Sequence, residues 1–143
     1  MRSLALFSVD QLIWPWIPLG LVGLGLLLAG TPEELEGPTF VTFGSGHGLT
    51  EANVVALIPL LPGCVSFFYG LWSRRATLAQ LATSRPLLIS MLACQFSVGF
   101  ACLLTSGVST YFWWWTAGSF LSMTALLAIS LLVVTQRLGA PRA

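Results

Sequence analysis

The chain has 143 residues, of which 56% are hydrophobic and only 8% charged, with a mean hydropathy of +0.87. A soluble domain carries about 25% charged residues to hydrate its surface, so this composition excludes a soluble fold and points to lipid as the solvent. The net charge of +1 argues against nucleic-acid partners, which require a basic surface to displace counterions.

Four apolar stretches occur in chain order, at about residues 12–30, 52–72, 86–106 and 111–134. Each has the roughly 20 residues that a helix needs to cross a hydrocarbon core. None contains Asp, Glu, Arg or His. A spanning segment must satisfy its backbone internally, so the expected fold is an all-α integral membrane protein of four transmembrane helices, one domain over residues 1–143. The first stretch, after Arg2, has the look of a signal peptide. Its interruption by Trp14-Pro15-Trp16 and the lack of an A-x-A site make a retained first helix the expectation.

Arginine supplies every basic residue, as expected of a GC-rich genome. Arg2, Arg74, Arg75, Arg85, Arg137 and Arg142 all fall on one side of the four spans, and Glu33, Glu34, Glu36 and Glu51 on the other. The positive-inside rule then puts both termini in the cytoplasm, and the plasma (inner) membrane of a prokaryote is the expected location. Trp14, Trp16 and Trp72 mark the inner boundary, and Tyr111 with Trp113-Trp114-Trp115 the outer one.

Between the first two spans lies an outer loop, residues 31–51, with signals of order. Thr31-Pro32-Glu33-Glu34 reads as a capping box starting one helical turn, which Gly37-Pro38 ends. The segment Thr39–Phe43 is β-branched and aromatic, and Gly44 to Gly48 reads as a tight turn holding His47. Thr50 should cap the second span, with Glu51 at the positive end of its dipole. The inner loop, residues 73–85, either extends the second span or lies in the interface.

Small residues at helical spacing mark packing faces. Ser90, Cys94, Ser97, Ala101 and Thr105 share one face of the third span; Gly118, Ser122, Ala125 and Ala128 share one of the fourth. Gly20 and Gly23 fit the same role on the first span, since small faces let backbones approach in lipid. Gln95 is the one amide near mid-bilayer, a hydrogen-bond donor to a neighbouring helix or a cofactor contact. Pro59 and Pro62 free the carbonyls of Val55 and Ile58 for a kink or a ligand.

Chemistry is sparse. His47, the sole histidine, suits a loop hydrogen bond or a cofactor or partner contact better than catalysis. Cys64, Cys94 and Cys102 form no CxxC pair, so neither a metal site nor a redox pair is expected. No Asp, Glu, Arg or His lies within a span, which argues against proton-coupled transport. The expected function is a non-catalytic accessory or structural subunit of a larger membrane complex. It would dock on other subunits through its small faces and through Phe40, Val41, Phe43, His47 and Trp113, Trp114 and Trp115. A lipid, or a hydrophobic pigment or quinone, could sit at such an interface. The alternative is an oligomeric channel or facilitator for a neutral or hydrophobic solute.

The topology is directly testable on a background in which the native cysteines are replaced. Ser45→Cys should react with an impermeant thiol reagent only from outside, and Gln80→Cys only from inside. Labelling of both from one side overturns the arrangement.

Overall fold

The computed structural model describes residues 14–31, 35–44, 47–106 and 113–139. In chain order these form α1 (Trp16–Ala29), β1 (Thr39–Gly44), β2 (His47–Thr50), α2 (Glu51–Ser73), α3 (Arg75–Ser84), α4 (Pro86–Ser106) and α5 (Trp113–Gly139). Among the described residues, three helices are long and apolar enough to cross a membrane: α2, α4 and the Trp113–Gln136 part of α5. The chain is a helical, multi-pass membrane protein. α1 has 14 residues, about 21 Å at the helical rise and short of the ~30 Å hydrocarbon core. Leu12, where the first span was expected to begin, lies outside the described residues.

Local chemistry sets the helix ends. α1 starts on Pro15 and carries Pro18 in its first turn, where a missing N–H leaves no helical bond unmade. At its other end the Gly30 amide donates to Leu26 O at 3.1 Å, and Thr31 Oγ1 donates back to Leu28 O at 2.9 Å. Thr31 therefore closes the helix before it. Pro32, Glu33 and Glu34, the rest of the expected capping box, lie outside the described residues.

Thr50 caps α2 as expected, its Oγ1 accepting from the Asn53 amide at 3.4 Å. The loop completes that cap: the amides of Glu51 and Ala52 donate to Pro38 O and Glu36 O at 3.2 and 3.1 Å. Gly37 links those two acceptors at φ +72°, a backbone conformation natural to glycine. A Cβ there would also lie 3.1 Å from Glu51 Oε2.

The loop differs from expectation in one respect. Thr39–Gly44 pairs antiparallel with His47–Thr50, in the register Thr39↔Thr50, Val41↔Leu49, Thr42↔Gly48 and Gly44↔His47. The register slips between Thr39 and Val41 and again between Thr42 and Gly44. The architecture is thus helical with one small sheet, and His47 opens a strand instead of lying in the turn. Extended segments so close in sequence satisfy their backbone by pairing with each other.

The helices form two antiparallel pairs, α1 with α2 and α4 with α5. Lipid is as apolar as leucine, so burying leucine does not by itself join spans; close packing must. At the first crossing a Cβ on Gly63 would lie 2.9 Å from Leu21 Cβ and Val22 N, and 3.0 Å from Pro18 O. One on Gly25 would lie 2.6 Å from Leu60 Cβ. At the second crossing, a Cβ on Gly118 would meet Gly99 O at 2.7 Å and Leu103 N at 2.8 Å. These backbones pack where only hydrogen fits.

Large side chains fill the space between the pairs. Leu19, Phe67 and Leu126 are buried together, with Leu71, Phe96 and Met123 against them. Rings continue across from α2 to α4: Phe67 to Phe68 at 5.8 Å, Phe68 to Phe96 at 6.4 Å, and Phe96 to Phe100 at 6.3 Å.

Gly63→Ala should destabilise the chain by about 1–3 kcal/mol, because backbone and Cβ atoms of α1 cannot yield to a methyl group. Gly20→Ala should shift stability by less than about 0.5 kcal/mol, since nothing lies within 4 Å of that position. Thermal melting in detergent compares the two; equal losses would place the crossing elsewhere.

Candidate functional site

Three regions gather the residues that sequence singled out: the small-residue faces, the hairpin end and the arginine end. On α5 the small face lies inward, with Ala125 fully buried, Ser122 5% exposed and Gly118 buried. On α4 the expected face turns the other way: Ser90, Cys94, Ser97, Ala101 and Thr105 are all exposed on the single chain. α4 instead meets α5 through Gly99, whose Cβ would lie 2.6 Å from Ser122 Oγ and 2.8 Å from Ser122 N. The physical reason is size, since a serine or cysteine cannot let two backbones come as close as a glycine can. On α1, Gly23 faces Met123 of α5, Gly20 is exposed, and Gly25 makes the close approach to α2.

Gln95 lies half-buried on α4 and spends its amide within its own helix pair. Its Nε2 donates to Thr124 Oγ1 at 2.7 Å and to Leu121 O at 3.2 Å. Thr124 Oγ1 in turn donates to Phe120 O at 2.8 Å. α2 remains helical through Pro59 and Pro62. Among the described residues no three of His, Cys, Asp and Glu come together as metal ligands would.

At the hairpin end Phe40 and Val41 are 62% and 48% exposed, and Trp113 and Trp114 are exposed as well. Trp115 turns inward, and its indole covers Gly30 at the end of α1. The side chains of Phe43 and His47, and Tyr111 altogether, lie outside what is described.

The arginine end holds an interaction that sequence reasoning missed. The Arg74 guanidinium sits 3.7 Å from the centre of the Trp14 ring, and its Nη1 donates to Gly70 O at 2.9 Å. The same ring stacks on Phe67 at 6.0 Å and lies on Gly70. One arginine thus pins the start of α1 to the last turn of α2. Sequence held a signal for this face: Ala56, Gly63 and Gly70 recur every seven residues, two helical turns, as do Pro18 and Gly25.

No protein-family model matches this chain, and no curated protein or solved structure matches it either.

The Gln95–Thr124 contact should carry a measurable coupling. In a double-mutant cycle of Gln95→Leu and Thr124→Val, the two changes should fall short of additivity by about 0.6–1.7 kcal/mol in unfolding free energy. Full additivity would show that the amide has its energetic partner elsewhere.

Proposed function

We propose that this protein is a non-catalytic accessory subunit of a larger membrane complex, of four spans with both termini cytoplasmic. α1 belongs to the first span. The all-arginine basic set supports a plasma-membrane location in a GC-rich prokaryote. One observation carries the functional reading: α4 presents its small-residue face outward. Of its apolar window only 11% is buried within the chain, against 22% for α2 and 33% for α5. Ser97 and Thr105 donate to Ala93 O and Ala101 O of their own helix, at 2.8 and 2.9 Å. Those two hydroxyls stay paired when another helix covers the face.

The exposed Phe40 and Val41 on the hairpin, with Trp113 and Trp114, give a second contact surface at one end of the bundle. A channel or facilitator is less well supported, because Gln95 is engaged inside the α4–α5 pair.

Leucine at Ser97 and at Ser122 separates the roles of the two faces. Ser122→Leu should lower the stability of the chain itself by about 1–3 kcal/mol, because its site is buried. Ser97→Leu should leave melting unchanged and release the chain from its assembly, seen by native mass spectrometry of gently solubilised membranes. Phe40→Ser should weaken the same assembly. If wild type runs only as the free 15.4 kDa chain, or if Ser97→Leu leaves the assembly intact, the accessory reading fails.

A further inference from the structure

α3 joins two membrane-spanning helices, separated from each of α2 and α4 by a single residue. Its ten residues span about 15 Å. It therefore lies where the chain leaves one hydrocarbon crossing and enters the next, at the depth of lipid headgroups. Leu81 is 3% exposed and turned into the protein, and Thr77 and Leu78 are half-buried. The rest of the helix, Ala76, Ala79, Gln80, Ala82, Thr83 and Ser84, is exposed. It is a surface helix held down by one apolar edge.

The cations of this segment divide into two kinds. Arg74 is engaged by Trp14 and the Gly70 carbonyl. Arg75 and Arg85, at opposite ends of α3, are both exposed and form no ion pair among the described residues. From Ser73 to Arg85 the chain carries no acidic residue that could neutralise them. Arg75 lies 5.7 Å from the ring centre of Trp72, itself 69% exposed. An exposed indole at a span end belongs to the headgroup layer, so the guanidinium beside it stands at phosphate depth.

We propose that Arg75 and Arg85 hold the phosphates of anionic lipids at the membrane surface, one at each end of α3. A planar guanidinium presents paired donors that match two phosphate oxygens, which a compact ammonium cannot do as well. Charge complementarity selects the ligand, because two cations without an ion pair among the described residues meet a surface of negative phosphates. The depth of the helix favours the lipid source, because lipid phosphates are concentrated at that level. This inference stands apart from the accessory role, since it requires no protein partner.

The test is native mass spectrometry of the whole chain from micelles containing equal phosphatidylglycerol and phosphatidylcholine, counting lipids retained at low activation. Wild type should retain phosphatidylglycerol preferentially. Each of Arg75→Gln and Arg85→Gln should cut that preference about fivefold, and the pair more than tenfold. The paired lysine variant should keep most of it, and elution and helix content should stay unchanged throughout. Equal retention of both lipids by wild type, or an unchanged preference in the glutamine pair, overturns the proposal. Should the pair fail to purify, the wild-type preference and the single variants decide it.

Discussion

Hydrocarbon offers a helix no reward for hiding leucine, so two spans adhere chiefly where their backbones come close enough for dispersion to accumulate, with interhelical hydrogen bonds added to that. In this chain three of the close glycines aim their missing Cβ at a carbonyl oxygen of the neighbouring helix. Gly25 points at Ala56 O, Gly63 at Pro18 O and Gly118 at Gly99 O. A hydrogen occupies that direction instead of a methyl group, so the two backbones can close up. Both helix pairs depend on this geometry, and their remaining contacts follow from the separation it imposes.

Once each pair is this tight, its large side chains are displaced to its flanks and must be accommodated between pairs. Leu19, Phe67, Phe96 and Leu126 do so, and the chain of phenylalanine rings spans a gap that no backbone contact closes. The two ends of α1 are each closed by a tryptophan lying on a glycine, Trp14 on Gly70 and Trp115 on Gly30. A 14-residue helix has little surface of its own. Indoles from outside its span extend its contacts at both ends, and Arg74 adds a charge held over one of them.

Much of this was legible in the sequence, because the strongest signals were long and redundant. Hydrophobic length gave the helices α2, α4 and α5; Thr50 and Glu51 gave the start of α2. The weaker signals divided according to how local they were. The Thr39–Phe43 stretch announced extended backbone, but its partner strand begins on His47 after glycines that read as turn. The packing face of α4 was the larger failure. Five small residues at helical spacing outweighed a lone Gly99 in the pattern, whereas in packing one glycine outweighs five residues that carry a Cβ. The seven-residue recurrence of Ala56, Gly63 and Gly70 would have found the α1–α2 contact, had closest approach been weighed above average smallness. The Trp14–Arg74 clasp joins residues sixty positions apart, and no local pattern encodes such a pair.

That failure bears on what the exposed face of α4 can be for. Ser97 and Thr105 spend their hydroxyls on their own helix, so the face is electrically quiet and stable against lipid tails alone. Exposure leaves neither of these two donors unpaired, and covering them gains no strong hydrogen bond. Any helix that docks there must do so by shape, through a partner smooth or small enough to come near a surface that already carries Cβ atoms. Such a contact is shallower than the glycine crossings inside the chain. The physical expectation is a graded one: two crossings that hold the subunit together, and an outer face whose occupant can come and go while the fold persists.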